Sequence, residues 1–415
     1  MENAMDEPIV VGIDIGTTKV CTLVARVEGE RTMRILGVGI EPSQGIRKGN
    51  IVDLAAASTS IARSIEKAQR TSGFEITSAL VSLAGSHVAS VNSRGVVGIS
   101  GGVIDEMDVA RALEAAQAVA IPHNRQIIHV IQRSFIVDGQ DGIRTPIGMH
   151  GYRMEVEAHI ITAAESTVEN LRQCVQAAGV QVTQFVLNPL ASAEVVLSET
   201  ERQMGVVVCD IGGGTTDLAI YIDGDLWHTM VLAVGGNHIT SDIAHGLRLS
   251  IDQAEEVKKR YGHAIESEIA ENDVISVRSF GQEAPVQVNR RDLAHIIEAR
   301  VEEIFMLVLQ EIKRSGYDGL LPAGMVLTGG ASLLPGMKNL ASSVLGLPVR
   351  VAKPENLVGL TDQLNSPAYS TSVGLLHWAL LLSEAEPLHP RRSFLPKGIN
   401  LDGDRIKNFL KRLLP

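Results

Sequence analysis

The sequence predicts an α/β protein of two lobes that repeat one topology. The chain has 415 residues, more than a single compact core of ordinary size accommodates, so two domains are expected. Strand-like and helix-like segments alternate along most of its length. In addition, VVGIDIGTTKV at residues 10–20 recurs as VVVCDIGGGTTDL at residues 206–218 once two glycines are allowed as an insertion. Each copy is a strand, an aspartate, a glycine–threonine turn and a returning strand, which indicates a duplication.

Composition and charge narrow the function classes. The formal net charge of -11 disfavours a nucleic-acid-binding role, because such proteins need a basic surface to displace counterions. The first residues carry acids and lead directly into a strand pattern, so we expect no secretory signal peptide. No apolar stretch approaches the roughly 18 residues that a helix needs to cross a bilayer. Cys21, Cys174 and Cys209 lack metal-ligand spacing and are expected as reduced, buried thiols.

The first half of the chain predicts a β-meander, a helix and a compact insert. β-Branched residues between glycine-containing turns predict three strands and then a helix, at residues 10–15, 20–27, 34–40 and 54–70. A strand at 79–83 leads into a glycine- and serine-rich passage. The insert combines one helix with two strands, at residues 105–119, 127–137 and 154–162. A helix at 167–178, a strand at 182–187 and a helix beginning near Pro189 complete this half.

The second half repeats the strand–turn–strand unit and continues with helices. A strand at 206–211 opens it, and long helical patterns follow at residues 238–248, 251–261 and 291–313. A third glycine turn, VLTGGASLLPGM, occupies residues 326–337, and a helix at 367–382 closes the globular part. Residues 384–401 mix Pro, Glu, Ser, Gly and Arg with little periodicity, which predicts a linker.

The two glycine–threonine turns are candidate phosphate-binding elements. A turn between two strands exposes consecutive backbone N–H groups with hydroxyls alongside, so two such turns facing each other would hold a polyphosphate between the lobes. The residues concerned are Gly16, Thr17 and Thr18 in the first turn and Gly212, Gly213, Gly214, Thr215 and Thr216 in the second. Asp14 and Asp210 end their strands and are expected to hold Mg²⁺ through water, since this ion keeps several waters. Lys19 either reaches the phosphates or points outward into solvent.

The third glycine turn makes the pattern specific. Gly329, Gly330, Ala331 and Ser332 follow a strand and precede a helix, so the backbone there can lie close to a base or an α-phosphate. In their order, the three turns resemble the phosphate-1, phosphate-2 and adenosine motifs of the actin, Hsp70 and hexokinase superfamily, and the resemblance covers nearly the whole chain. It implies an actin-like fold, a duplicated ribonuclease H-like core in two lobes.

The same resemblance implies that the cofactors are ATP and Mg²⁺. It places further residues beside the nucleotide, namely Gly235, Gly236, Asn237, Glu255 and Lys258. Glu255 and Lys258 would meet the ribose and the adenine. An ordinary solvated helix face is the alternative for these two residues.

ATP hydrolysis needs a polar group that orients the attacking water. In members of the superfamily a Glu or Gln near the start of the helix before the second phosphate turn has this role, and the resemblance places Asn188 there. Asp210 is the other candidate catalytic residue. Because Asn188 has a shorter side chain than Glu or Gln, we expect ATP binding with slow or no turnover. The nucleotide would then act mainly as a switch for conformation and polymerisation.

Within the superfamily, the insert makes the chain resemble the FtsA family of bacterial cell-division proteins. Residues 85–162, which include DEMDVARALEAAQAV, IIHVIQRSFIVDG and MEVEAHIIT, resemble the subdomain 1C that replaces subdomain 1B of actin. The resemblance implies the other subdomains, with 1A at 1–84 and 163–203, 2A at 204–240 and 321–364, 2B at 241–320, and a return helix to 1A at 365–383. In this family subdomain 1C contributes to subunit contacts and to recruitment of later division proteins.

A basic amphipathic helix is predicted at residues 403–415, after the linker at 384–402. In GDRIKNFLKRLLP, apolar residues recur at i, i+3, i+4, i+7 and i+8, with basic residues beside or opposite them. The apolar residues are Ile406, Phe409, Leu410, Leu413 and Leu414, and the basic ones are Arg405, Lys407, Lys411 and Arg412. The pattern is typical of a helix in a membrane interface, whose cations meet anionic head groups. A helix docked on the protein's own body is the alternative.

The resemblance also implies partners and a location. The partners are the C-terminal tail of the tubulin-like protein FtsZ, further copies of the chain in a filament, anionic lipids and later division proteins. The helix that contains Arg300 is the candidate FtsZ surface, although a core face and a solvated charged face explain the same pattern. The expected location is the cytoplasmic face of the bacterial inner membrane, at the division septum. An actin-fold small-molecule kinase and a pilus-type assembly ATPase are the alternatives.

Overall fold

The structure is a computed structural model that describes residues 8–28, 32–118, 121–282 and 284–385. The predicted membrane helix at residues 403–415, and the predicted linker from residue 386 onward, lie outside the described residues. Their assignments therefore stay predictions. Among the described residues, no helix combines the length and the apolar content that crossing a bilayer requires.

The first part of the chain builds most of one sheet. Its elements are β1 (Ile9–Ile15), β2 (Lys19–Glu28), β3 (Thr32–Pro42), β4 (Ile46–Arg47), β5 (Asn50–Ile51), α1 (Leu54–Ser72) and β6 (Ser78–Leu83). Strands β1, β2 and β3 form an antiparallel meander, and β6 pairs parallel to β1. The side chain of Asp53 caps α1 by accepting from the N–H of Ala56. Helix α1 lies directly on β3, since a Cβ at Gly39 would come within 1.9 Å of the Ser64 carbonyl oxygen.

The insert folds as a separate small sheet covered by one helix. It comprises β7 (Ala89–Gly98), α2 (Glu106–Gln117), β8 (Arg125–Val137), β9 (Gln140–Ile143) and β10 (Arg153–Ala164). The strand order is β7-β10-β8-β9, and the neighbours are antiparallel. β7 lies within the glycine- and serine-rich passage and was not predicted from the sequence. It is an edge strand in which only Gly95 is buried, so it lacks the apolar alternation that marks a strand.

The chain then returns to the first sheet and enters the second lobe. The returning elements are α3 (Glu165–Gln176), β11 (Gln181–Leu187), α4 (Asn188–Val196) and α5 (Glu199–Met204). The second lobe comprises β12 (Val206–Ile211), β13 (Thr216–Ile222), β14 (Asp225–Leu232), α6 (Gly236–Leu247), α7 (Ile251–Tyr261), β15 (Val274–Val277), β16 (Val286–Asn289), α8 (Arg290–Ser315), β17 (Met325–Thr328), α9 (Met337–Leu345) and β18 (Val349–Val351). Finally β19 (Val358–Gly359) joins β3, and α10 (Ser370–Ala385) packs on the first sheet.

The two large sheets repeat one topology. The second has the order β14-β13-β12-β17-β18, in which an antiparallel meander is followed by a parallel strand beside its first member. The first has the order β11-β6-β1-β2-β3-β19 and the same arrangement around β1. The predicted duplicated, two-lobed α/β fold is thus confirmed. The subdomain boundaries stay predictions.

Helices α4 and α10 connect the lobes. They cross at very short range, because a Cβ at Gly374 would lie 1.9 Å from the Ala191 carbonyl oxygen. One continuous apolar core surrounds them and includes side chains of both sheets, such as Val24 and Val208. The helix starts consequently lie beside the carboxyl ends of β1 and β12, and Asn188 of α4 and Thr371 of α10 line the cavity between the lobes.

The insert also contacts the second lobe, at β14. The Ser90 hydroxyl donates to the Thr229 carbonyl oxygen over 2.9 Å. The buried ring of His159 bonds to Asn92 Oδ1 at 2.6 Å and to Thr229 Oγ1 at 2.9 Å. Burial lowers the pKa of His159 to about 3, so its ring is neutral near pH 7. Polar contacts to β14 therefore hold the insert against the second lobe, although the insert interrupts the part of the chain that forms the first lobe.

Candidate functional site

A cavity of about 440 Å³ opens between the two lobes. Its volume is in the range of about 300–1,000 Å³ that is usual for small-molecule sites. Most residues of the predicted nucleotide site line it, namely Asp14, Gly16, Thr17, Thr18, Lys19, Asn188, Asp210, Gly212, Gly213, Gly214, Thr215, Gly236, Asn237, Glu255, Lys258, Gly329, Gly330 and Ala331. The fold brings together side chains that are more than 300 residues apart in sequence.

The two glycine–threonine hairpins have the same length. In the first, Ile15 lies opposite Val20, and the N–H of Gly16 donates to the Lys19 carbonyl oxygen over 3.0 Å. The turn therefore comprises residues 16–19.

In the second hairpin, Ile211 lies opposite Thr216, and the N–H of Gly212 donates to the Thr215 carbonyl oxygen over 2.9 Å. This turn comprises residues 212–215, four residues as in the first. The two-glycine insertion assumed from the sequence is therefore wrong, because the strand registers leave no extra residues in the second turn.

The two turns face each other across the cleft. A Cβ at Gly213 would lie 2.1 Å from Oγ1 of Thr18, and a Cβ at Gly214 would lie 2.5 Å from Oγ1 of Thr17. The threonine side chains of the first lobe thus occupy the space that the glycines of the second leave open. At this contact between the lobes the first turn contributes threonine hydroxyl groups, and the second contributes glycine backbone.

Three buried carboxylates lie at this junction. Asp14 and Asp210 are each 6% exposed, and Asp217 is 2% exposed. Asp217 lies directly opposite Asp210 in the β12–β13 hairpin and also lines the cavity. It was missed in the sequence because the assumed insertion aligned it with Lys19. In a gap-free alignment of the two hairpins Asp217 matches Cys21. It would then have been recognised as an acid that the first hairpin lacks.

The carboxylates suit a cation. Burial raises the pKa of Asp217 well above its usual range, and the neighbouring charges of Asp210 and Asp14 raise it further. Burial also raises the pKa of Asp210, although hydrogen bonds from Ser192 and Thr371 counteract it. One oxygen of Asp217, Oδ1, is buried without a partner among the described residues. Within these residues no three His, Cys, Asp or Glu side chains are placed to ligate a metal directly, but a hydrated Mg²⁺ needs only one or two carboxylates.

The third glycine turn closes against the second hairpin. Gly329 has a φ of 86°, and a Cβ there would lie 2.4 Å from Oδ1 of Asp210, so both conformation and space require glycine. Residues Gly330–Leu333 then form one 3₁₀ turn. The buried Ser332 hydroxyl donates to the Gly329 carbonyl oxygen over 2.7 Å and supports the turn from behind. Ser332 is therefore not among the residues that line the cavity.

Two other predicted residues support the second hairpin instead of facing the cavity. The Thr216 hydroxyl donates to the Val234 carbonyl oxygen over 2.9 Å, inside the protein. Gly235 lies against the turn, because a Cβ there would come within 2.7 Å of the Gly212 carbonyl oxygen. Neither residue lines the cavity.

Lys19 and Asn188 both line the cavity, in different environments. The Lys19 ammonium donates to the Ala368 carbonyl oxygen and lies 4.6 Å from the ring centroid of Tyr369. Asn188 is the first residue of α4, and its Oδ1 is buried without a partner among the described residues. A buried amide oxygen without a partner is costly, so it suits a site for a water or ligand donor.

Glu255 and Lys258 form a local polar cluster on α7. Lys258 Nζ lies 2.6 Å from Glu255 Oε2 and donates to Thr240 Oγ1 over 2.8 Å. Burial lowers the pKa of Lys258, and the carboxylate offsets this only in part. Burial disfavours the charged form of Glu255, but hydrogen bonds from Lys258 and Thr240 outweigh it and lower the pKa of Glu255. Both residues line the cavity, but the pair also has partners of its own.

Arg300 lies outside the cavity, on α8. Its guanidinium forms an ion pair with Asp242 of α6, with Nη2 3.1 Å from Oδ1, and a second one with Glu303. Its donors are therefore already engaged within the chain. The role of Arg300 in a partner surface stays a prediction, as do the ligand roles of the other residues.

Several cavity residues were not predicted from the sequence. Some lie within the quoted motifs, such as Asp217 and Leu333, and others lie elsewhere in the chain, such as Gly49 and Thr371. They are Ile15, Gly49, Ala84, Asp217, Ile239, Lys259, Leu333, Leu334, Pro335, Pro367, Ala368 and Thr371.

Comparison with known proteins adds the family context. Residues 207–374 match the family model of the cell division protein FtsA, and residues 85–162 match the SHS2 domain inserted in FtsA. The chain is 42% identical to the FtsA of Pseudomonas aeruginosa over 380 residues, which is 92% of this chain and 91% of that protein. It is 41% identical to the FtsA of Bacillus subtilis over 371 residues, 89% of this chain and 83% of that protein.

Two solved structures resemble most of the chain in fold. The PilM-PilN type IV pilus biogenesis complex matches with a TM-score of 0.64 at 17% identity, over 89% of this chain and 98% of the matched chain. MreB5 of Spiroplasma citri bound to ADP matches with a TM-score of 0.55 at 16% identity, over 90% of this chain and 97% of that one. At these identities the matches show a shared actin-like fold.

Proposed function

Because the chain belongs to the FtsA family of bacterial cell-division proteins, we propose that it is an ATP-binding, actin-like protein that polymerises on the membrane during division. One structural observation supports the proposed binding of ATP. Two hairpins from different lobes meet across a cavity, with threonine hydroxyls on one side, glycine backbone on the other and buried carboxylates beside them. In the same fold, MreB5 of Spiroplasma citri is bound to ADP in one structure and to AMPPNP in another.

The residues of the cavity suit the parts of ATP. Thr17, Thr18 and the backbone of Gly213 and Gly214 would bind the phosphates. Glu255 and Lys258 would contact the ribose and the base, with the third glycine turn close to the base or the α-phosphate. Asp14 and Asp210 would bind the waters of Mg²⁺, which would neutralise the phosphate charge.

Slow or absent turnover is part of the proposal. Asn188 would orient a water through its amide oxygen, which has no partner among the described residues. An amide accepts a hydrogen bond but is a much weaker base than a carboxylate, and its side chain is short. ATP would therefore stay bound long enough to favour one arrangement of the lobes and so to control assembly.

Membrane attachment would couple to assembly through residues 403–415. A helix of about a dozen residues is marginal in water, so a single copy would bind lipid weakly. A filament presents many copies, and their combined avidity exceeds the affinity of any one of them. The filament would then anchor FtsZ through subdomain 2B, near Arg300, and recruit later division proteins through the insert. The location would be the cytoplasmic face of the inner membrane, at the septum.

Co-sedimentation with anionic liposomes tests this proposal. The full chain and a version that ends at Leu401 are compared, each with and without ATP and Mg²⁺. We expect only the full chain to pellet with lipid, and more of it with ATP. A full-length Leu410→Glu variant should behave like the truncated chain, whereas Lys407→Arg, which keeps the charge, should behave like the unchanged protein.

The opposite results are equally informative. If the full chain stays in the supernatant under all conditions, the membrane part of the proposal is wrong. If pelleting is the same with and without ATP, the coupling of nucleotide to membrane binding is wrong.

A further inference from the structure

Helix α10 begins with three consecutive buried hydroxyl residues, and each contacts a different nucleotide motif. Ser370, Thr371 and Ser372 are at most 7% exposed. The Ser370 hydroxyl bonds to Thr328 Oγ1 at 2.7 Å, at the end of the strand before the third glycine turn. The hydroxyls of Thr371 and Ser372 bond to Asp210 and Asp14. A 3₁₀ turn at Pro367–Tyr369 precedes the three hydroxyl residues.

The two carboxylates are bound by neighbouring residues of one helical turn. The Thr371 hydroxyl lies 2.9 Å from Oδ2 of Asp210, in the second lobe. The Ser372 hydroxyl donates to Oδ2 of Asp14, in the first lobe, over 2.6 Å. The sequence separations are 161 and 358 residues. One turn of α10 therefore determines where both carboxylates lie relative to each other.

Asp210 has a further hydroxyl partner on α4. The Ser192 hydroxyl donates to Oδ2 of Asp210 over 2.5 Å and lies 2.9 Å from Thr371 Oγ1. Ser192 is fully buried. Since α4 and α10 are in tight contact at Gly374, the two hydroxyls cannot move apart without separating the helices.

We propose that Ser192, Thr371 and Ser372 are positioning residues that orient Asp14 and Asp210 for the hydrated divalent cation of a bound nucleotide. One oxygen of each carboxylate is bound by a hydroxyl, and the other remains for the waters of the cation. This inference rests on the proposed binding of ATP and Mg²⁺.

The choice of hydroxyl groups has a physical reason. Hydrogen bonds to a charged carboxylate are stronger than those between neutral groups, so they restrict its rotation effectively. A lysine or arginine in the same place would also orient the carboxylate, but its charge would compete with the cation. A neutral donor orients the acid and leaves its negative charge available.

The test uses the full chain and measures ATP binding by isothermal titration calorimetry, once with excess Mg²⁺ and once with excess EDTA. The readout is the ratio of the two Kd values. We expect Thr371→Val and Ser372→Ala each to reduce the Mg²⁺-dependent gain in affinity about tenfold, the typical effect of losing a hydrogen bond to a charged group. The Kd in EDTA should change by less than about twofold.

Two control variants separate positioning from a general packing effect. Thr371→Ser keeps the hydroxyl and should restore the ratio of the unchanged protein. Ser64→Ala removes a buried hydroxyl that bonds to Thr22 Oγ1 and to the Gly39 carbonyl oxygen, on the face of the first sheet opposite to Asp14, and should leave the ratio unchanged. Urea denaturation of every variant confirms that it is folded.

The outcomes distinguish the inference from its premise. If the unchanged chain binds no ATP, the proposed function is wrong. If it binds ATP with a clear Mg²⁺ effect, and Thr371→Val and Ser372→Ala keep that effect, the positioning role is overturned. An equal loss of affinity with and without Mg²⁺ would also overturn it, because the hydroxyls would then support the site without acting on the cation.

Discussion

The β1–β2 and β12–β13 hairpins occupy corresponding places in the two lobes, but they are held in different ways. In the second lobe, backbone supports the turn, since the N–H groups of Gly236 and Asn237 donate to the carbonyl oxygens of Gly212 and Gly213 over 2.9 and 2.8 Å. In the first lobe one backbone bond supports the turn, since the Ser43 N–H donates to the Thr18 carbonyl oxygen over 3.0 Å, and a side chain is also involved, since Thr17 Oγ1 accepts from the Gly49 N–H over 3.4 Å. The second turn is therefore held by two backbone bonds, and the first by one backbone bond and one hydroxyl.

The strands beneath the turns differ in charge as well. Asp14 lies opposite Cys21, whereas Asp210 lies opposite Asp217. Cys21 is fully buried beside the apolar cluster that includes Leu23 and Leu376. One duplicated position is thus part of a hydrophobic core in the first lobe and part of an acidic cavity wall in the second. Duplication preserved the backbone, and the lobes diverged in what the equivalent side chains face.

The largest expected effect comes from making the first hairpin resemble the second. Cys21→Asp would bury a second carboxylate opposite Asp14, and the Ser372 hydroxyl beside it already donates to Asp14, so we expect the free energy of unfolding to fall by about 3–5 kcal/mol. Urea denaturation measures this, with Cys21→Ala as the control for lost packing. Equal stability of the two variants would show that the first lobe accommodates the extra acid as the second one does.

The next effect concerns the contact between the turns. Gly214→Ala would bring a Cβ within 2.5 Å of Thr17 Oγ1 and 3.0 Å of Thr17 Cβ, so the lobes cannot close fully. We expect ATP affinity to fall about thirtyfold, equivalent to the roughly 2 kcal/mol of a typical overpacked contact.

A double-mutant cycle with Thr17→Gly identifies the cause. Thr17→Gly removes all three side-chain atoms that the new Cβ would meet, so adding Gly214→Ala to it should cost little further affinity. Additive losses, measured by isothermal titration calorimetry, would contradict the proposed contact.

A smaller effect is expected when the second hairpin loses its extra acid. The pKa of Asp217 is higher in the folded state than in the unfolded chain. The stability that protonated Asp217 contributes is therefore complete below the pKa of an unfolded Asp, about 4, and is lost as pH rises through the folded pKa. Asp217→Asn has no such titration. Without Mg²⁺, the variant should gain stability relative to the unchanged chain as pH rises from 4 to 7, by roughly 1 kcal/mol or more.

Urea denaturation across this pH range tests the expectation. The Thr215 hydroxyl donates to Asp217 Oδ2 over 3.0 Å, and the amide oxygen of Asn can accept the same bond. If the free energies of unfolding of the two proteins change in parallel with pH, ionisation of Asp217 does not destabilise the folded state.

The smallest effects are expected at the first glycine of each turn. Neither Gly16 nor Gly212 has a positive φ. A Cβ at Gly16 would lie 3.0 Å from the Lys19 carbonyl oxygen, and one at Gly212 would lie 3.5 Å from that of Thr215. Gly16→Ala should therefore lower the free energy of unfolding by about 0.5–1 kcal/mol, and Gly212→Ala should change it by less than about 0.5 kcal/mol. The reverse order in thermal denaturation would refute this difference between the turns.

Local sequence patterns were sufficient for the fold class and for the order of the motifs. The helices α1, α7 and α8 have a strong 3.6-residue period, so their predicted bounds differ from the observed ones by two residues or fewer. The three glycine turns follow strands of β-branched residues, and their order indicated the superfamily, whereas the insert at residues 85–162 indicated the family. These features depend on residues close together in the chain, which is the range over which a pattern is informative.

The details of the site depend on contacts between distant segments. The equal length of the two hairpins follows from the strand register. In the sequence, an insertion of two glycines was as reasonable as an alignment without a gap, because repeated Gly and Thr residues align in more than one way. Asp217 became part of the site only through that register. Thr371 and Ser372 look like ordinary helix residues until the packing of α10 on α4 brings their hydroxyls to Asp210 and Asp14. Patterns along the chain report which residues are buried, but only the packing of the two lobes decides which buried groups meet.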